Sequence, residues 1–161
     1  DKFNVEKLIS NITNNQVYLD DKLMSDNKLD ADQVKQYLID ILNKDQSVLF
    51  AVDMKKAGSS SVPEPIKTRI VNGYNWQRSG DIQVIYHDSW LPTYSKTDTT
   101  HGSWNSYDSH IPLIFMGWGI KNGESNKDYN MTDIAPTLSA LLHIQFPSGT
   151  IGNPITEVIG K

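Results

Sequence analysis

The sequence contains no cysteine. Disulfide staples and thiolate metal sites are therefore excluded, and any transition metal must be held by His, Asp or Glu. A long apolar run is also missing, since nothing approaches the roughly 20 residues a membrane-crossing helix requires. Neither sign of charge dominates: 15 Lys and Arg stand against 19 Asp and Glu, a formal net charge of -4. With no basic stripe to neutralise a phosphate backbone, nucleic acid is not an expected partner. The opening residues, DKFNVEKL, lack the basic start and apolar core of a secretory signal, so any export signal is expected upstream of Asp1.

What is present describes a folded protein. Of the 161 residues, 38% are hydrophobic and 21% charged with both signs mixed, enough to bury a real core. Val5, Leu8, Ile9 and Ile12 recur at helical spacing, which predicts an amphipathic helix ending at Asn14-Asn15. Residues 17–19 read as a short strand. Asp30 precedes Gln33 by three positions, a capping arrangement for a helix whose inner face is Val34, Tyr37, Leu38 and Ile41. Residues 47–52 read as a buried strand and AGSSSVPEP as a loop. A helix is expected from near Glu64 or Pro65 to about Gly73. Gly80-Asp81 then turns the chain into a strand over residues 82–86.

From Asp88 to His110 the periodicity disappears into Ser, Thr, Trp, Tyr, Gly and Asn, and connections of that length inside a domain are commonly functional. The continuous apolar run PLIFM, residues 112–116, predicts a central strand covered on both faces, closed by Gly117 and Gly119. Thr132 or Asp133 is placed to cap a last helix carrying Ile134, Leu138, Leu141 and Leu142, with Pro136 in its first turn. Strands alternating with helices indicate an α/β architecture. Residues 1–75 form a smaller inserted or cap lobe in this reading, and residues 76–161 belong to the main core.

Few residues are candidates for chemistry. His143 ends the last helix, where a structural role is favoured, and His87 ends a strand beside Asp88. His110 opens the apolar run and is assigned no metal role. His101 differs, because it stands in Thr100-His101-Gly102-Ser103-Trp104-Asn105, on the long loop just before that run, and loops at sheet edges collect ligands and catalytic groups.

The segment THGSWNSYDSHIPLIFMGWGIKNG, followed by MTDIAPTLSALLHI and FPSGTIGNPI, resembles the end of metal-dependent alkaline phosphatases and of the wider superfamily that includes nucleotide pyrophosphatases/phosphodiesterases. The shared parts are Gly80-Asp81, Thr100-His101-Gly102, the apolar strand ending in Gly119, and the closing helix. The resemblance is strong over residues 70–155 and weaker before them. It implies the carboxy-terminal portion of an α/β/α sandwich with a small α+β lobe. It also implies a secreted or periplasmic enzyme that hydrolyses phosphate monoesters with two zinc ions, roughly 4 Å apart in such two-metal sites. His101 is then a zinc ligand through a neutral ring nitrogen. Thr100, Trp104 and Asp108 are candidates for support around it, with Asp108 or a backbone carbonyl orienting the other ring nitrogen.

The family's Thr or Ser nucleophile, the Asp ahead of it, its Asp-His-Gly motif and a further Asp and His have no counterpart here. No catalytic residue is therefore assigned in this chain, and the rest of the site is expected in a missing amino-terminal part of the same polypeptide. One histidine does not hold a catalytic zinc tightly, so the chain alone is expected to be inactive and without tightly bound metal. A phosphodiesterase or sulfatase of the same superfamily, or a non-catalytic binding domain using exposed Trp and Tyr residues, are the rival readings.

Overall fold

The computed structural model describes residues 2–92 and 101–159, arranged in two units, Asp1–Ile111 and Pro112–Lys161. The first unit is built on a four-stranded antiparallel sheet. Its strands are β1 (Ile9–Thr13), β2 (Gln16–Leu19), β3 (Val48–Asp53) and β4 (Ile82–Tyr86), in the order β1-β2-β4-β3. Helices α1 (Asp21–Asp26), α2 (Ala31–Leu42), α3 (Ile66–Gly73) and a single turn α4 (Ser106–Ser109) complete it, with a 3₁₀ segment over Met54–Ser59.

The amino-terminal segment is a strand where helical spacing suggested a helix. Asn4 and Lys7 have φ of 51° and 62°, a left-handed backbone that breaks a right-handed helix before it can propagate. Asn14 and Asn15 also have positive φ, 51° and 59°, the pair of conformations that a two-residue hairpin turn demands and that asparagine tolerates. β1 therefore folds back on β2, with Thr13 opposite Gln16.

β4 lies between β2 and β3 and is the most deeply buried strand, with Ile82, Gln83, Val84 and Ile85 all buried. The boundary suggested at residues 75 and 76 thus falls inside the first unit, because β4 closes the same sheet that β1 to β3 begin. Gly80 and Asp81 enter β4 as a clamp. A Cβ on Gly80 would stand 2.9 Å from both Gln16 Cβ and the Val17 carbonyl oxygen, closer than any side chain is accommodated. Asp81 accepts the Leu19 N–H at 2.8 Å, and its carbonyl accepts the Met54 N–H at 3.0 Å.

Hydrophobic residues cover both faces of the sheet. Val17, Leu19, Met24, Val34, Val48, Ala51, Ile82 and Val84 form one cluster, and Val52, Met54, Ala57, Val62, Ile70 and Ile85 form the other. A register shift between Val48 and Phe50 places Val48 and Ala51 in the same cluster, which strict alternation would not do. As the sequence suggested, Asp30 caps α2 by accepting the Gln33 N–H at 3.1 Å.

In the second unit a 3₁₀ turn, Met131–Asp133, leads into α5 (Ile134–Leu141). Asp133 accepts N–H groups from Asn130 and Asn153, at 2.8 and 2.9 Å. Thr137, fully buried, donates to the Asp133 carbonyl at 2.6 Å and accepts the Ile155 N–H at 2.8 Å. The helix thereby ties residues 153–155 to its own first turn. It ends on His143, whose φ of 55° directs the Ile144 N–H back to the Ser139 carbonyl and its own N–H to that of Ala140.

The run PLIFM does not form the expected strand. Residues 111–117 are irregular, and Ile114, Met116 and Trp118 are 83%, 94% and 87% exposed. A strand needs neighbours to receive its backbone groups, and the described residues of this unit contain a single bridge, between Ile120 and Ile159. Trp118 is exposed for the same reason. Exposed apolar surface of this kind promotes association. The 161-residue chain made alone is therefore expected to self-associate at micromolar concentration, with Ile114→Glu and Met116→Lys each moving it toward monomer in analytical ultracentrifugation. A monomeric wild-type chain would show that this run does not drive contact.

Candidate functional site

The loop carrying His101 is held from two sides within the first unit. Trp104 is half-buried against the Val52, Met54, Ala57, Val62, Ile70 and Ile85 cluster, so a large aromatic anchors the loop to the core. Four residues on, Asp108 in α4 turns its carboxylate back and accepts the Ser103 N–H at 2.5 Å. The backbone N–H of Ser103 first, with a smaller contribution from the backbone of Gly102, holds the Asp108 carboxyl below its ordinary range against the opposing effect of burial. Asn105 begins α4 and its side chain donates to the Tyr107 hydroxyl at 3.0 Å, which in turn accepts the Ser89 N–H at 3.3 Å.

Gly102 has a φ of +97°, a backbone that side chains other than hydrogen rarely adopt. The glycine after the histidine is therefore required by the turn itself, which leaves His101 exposed just ahead of the held residues Ser103 and Trp104. An imidazole presented this way can act as a metal ligand or exchange protons with a bound group.

Beside this loop lies a cleft of about 160 Å³, to which Gly102 and Trp104 contribute. Its floor is Met54, Ile70 and Gln83, all buried, and its rim carries Asn14, Asn15 and Arg69. Gln83 is fully engaged: its amide donates to the Asn15 and Val84 carbonyls, each at 3.1 Å, and its side-chain oxygen accepts from Gln16 at 3.1 Å. Sequence reasoning missed the cleft, because its residues come from β1–β2, α3, β4 and the His101 loop and only the sheet brings them together.

Of the residues singled out from sequence, the structure places His101 and Trp104 on one short loop and Asp108 in α4 just after it, braced on the backbone of Ser103. Thr100 lies outside the described residues. His110 follows α4, exposed, with its N–H donated to Ser106. His87 donates its N–H to Ser47 at the end of β4. Among the described residues no three His, Asp or Glu side chains gather as a metal-binding group. The donors at hand do not by themselves fit a catalytic zinc, which takes about three protein ligands. Among the described residues His101 by itself does not make a complete metal site.

The brace has a measurable consequence. Asp108→Ala removes the acceptor of the Ser103 N–H, and that amide is expected to exchange with solvent at least about tenfold faster, a change that corresponds to losing one charge-assisted hydrogen bond of roughly 1.5 kcal/mol or more. Hydrogen exchange read by NMR checks it; unchanged protection at Ser103 would mean that the loop is held by Trp104 alone.

No family model matches the chain. Along 160 residues, 99% of its length, it is 59% identical to alkaline phosphatase PafA of Elizabethkingia meningoseptica, of which it covers 29%. It is 51% identical to alkaline phosphatase PhoV of Synechococcus elongatus and 46% identical to a calcium-transporting ATPase of Myroides odoratus, covering 98% of this chain and 29% of each relative. The chain thus spans under a third of the length of the curated relatives it matches. The crystal structure of wild-type PafA superimposes with a TM-score of 0.93 over 99% of this chain and 31% of that one.

Proposed function

We propose, from the premise that this chain is a carboxy-terminal part of a PafA-like alkaline phosphatase, that the whole protein is a secreted or periplasmic zinc-dependent phosphomonoesterase and that His101 is a metal ligand in it. The observation that carries the proposal is the 59% identity with PafA along nearly the entire chain, including a histidine loop whose neighbours are pinned by Asp108 and Trp104. On this reading the Thr or Ser nucleophile and the remaining ligands lie on the part of the polypeptide outside this chain. This chain alone is inactive. Zinc, when bound, supplies positive charge against the phosphoryl oxygens and lowers the pKa of the nucleophile.

The chain's own residues have limited tasks. His101 offers a neutral ring nitrogen, and the Gly102 turn keeps the backbone from covering it. Asp108 fixes the direction of the loop by holding Ser103, so that the imidazole does not have to be ordered when the ligand set assembles. The nucleophile outside this chain forms and loses the covalent phosphoryl bond.

The test is hydrolysis of matched phosphate mono- and diesters by the whole polypeptide and by this chain alone. The expected result is monoester turnover well above diester turnover for the whole protein and none for the chain. A preference for diesters or sulfate esters would move the protein to another branch of the superfamily, and activity of the chain alone would refute a nucleophile outside it.

A further inference from the structure

We infer that the cleft beside His101 is a subsite for the leaving group of the substrate, and that it favours phosphate esters whose leaving group is a small ring or chain bearing a carboxylate or other anion. The inference rests on the phosphatase reading and deepens it. Position is the first argument: Gly102, which lines the cleft, directly follows His101 in the chain, so the cleft opens beside the loop that carries the histidine. Size is the second. A volume of about 160 Å³ lies below the several hundred that enclose a whole drug-sized ligand, and suits part of a molecule.

Chemistry is the third argument and sets the ligand class. Met54 and Ile70 give an apolar floor, and the Trp104 indole provides a flat flank. The rim is rich in donors: the Arg69 guanidinium, the Asn14 and Asn15 amides and the Trp104 N–H have no hydrogen-bond or ion-pair partner among the described residues. Among the described residues no carboxylate lines the cleft to neutralise Arg69. A guanidinium among unengaged amides above an apolar floor selects an anionic, acceptor-bearing group with a small apolar body. A purely apolar leaving group would leave the donors unanswered, and a cationic one would meet Arg69.

The experiment compares kcat/KM of the whole polypeptide on phenyl phosphate and on 4-carboxyphenyl phosphate, for the wild type, Arg69→Met and Arg69→Lys. Arg69 is exposed on α3, so its replacement does not disturb the core. The expected result is a ratio of carboxyphenyl to phenyl turnover that falls about tenfold in Arg69→Met and is partly restored in Arg69→Lys. A ratio unmoved by either variant, with both esters hydrolysed, overturns the subsite and leaves the phosphatase reading intact. Hydrolysis of neither ester by the wild type removes that reading and the subsite with it.

Discussion

Replacing His101 with alanine in the whole polypeptide is expected to lower zinc content and phosphomonoester turnover together, turnover by about a hundredfold or more. The magnitude follows from what weaker changes do: losing a group that merely orients a metal ligand costs roughly 10- to 100-fold in metal affinity or activity, and removing the ligand itself exceeds that. The variant should fold, because the side chain is exposed and the loop keeps both the Trp104 anchor and the Asp108 brace. His110→Ala is the control. It lies nine residues on, exposed at the end of α4, and its loss should leave zinc content within experimental error. Metal analysis by mass spectrometry alongside initial rates decides the matter. Unchanged zinc and turnover in His101→Ala would mean that the histidine loop serves no metal, and a binding role would become the better account of the exposed aromatic residues.

The second large effect concerns stability. Lys35 on α2 and Asp53 at the end of β3 form an ion pair at 2.7 Å with side chains only 9% and 11% exposed, and Lys35 also reaches Asp32 at 3.4 Å. Lys35→Met leaves the Asp53 carboxylate buried without its cation, a loss expected to cost about 3–5 kcal/mol. Lys35→Met combined with Asp53→Leu should recover part of that cost, since no buried charge remains. Recovery is incomplete because Asp53 also accepts the Lys55 N–H at 3.0 Å at the start of the 3₁₀ segment. Urea midpoints of the three variants measure this, and a single variant as stable as the wild type would show that water reaches Asp53.

The pair also sets a pH dependence. Burial pulls the Lys35 ammonium down, but the hydrogen bond and charge of Asp53, followed by those of Asp32, outweigh it, and its pKa is raised above the ordinary 10.5. A folded-state pKa above the unfolded one means that the contribution is complete below pH 10.5 and is lost as pH rises through the folded value. Stability owed to this pair should therefore be level across neutral and moderately alkaline pH and decline only beyond about 10.5.

Much of the first unit was legible from residues. The strand of β4, the helix capped by Asp30 and the strand after it follow from local patterns that the tertiary structure has no reason to override. The first helix was misread because apolar spacing at Val5, Leu8, Ile9 and Ile12 is compatible with a helix, while the left-handed backbone at Asn4 and Lys7 and the Asn14-Asn15 turn are decided by pairing with β2. The run PLIFM was legible as strand-forming, yet residue preference does not provide the neighbours a strand requires, and this chain leaves the run exposed.

By itself the sequence determined which chemistry is open to this protein. The absence of cysteine limited metal ligands to His, Asp and Glu, and Thr100-His101-Gly102 marked the one loop worth attention. Those conclusions are independent of conformation because they depend on which functional groups exist and on their order. Only the tertiary structure decided that Asp108 braces Ser103, that Trp104 anchors the loop to a core assembled from β3, β4 and α3, and that Arg69 and the hairpin asparagines meet beside Gly102. These contacts join residues up to 90 positions apart, and the energy that fixes them is the burial of apolar surface on both faces of the sheet, a property of the whole fold that no local stretch encodes.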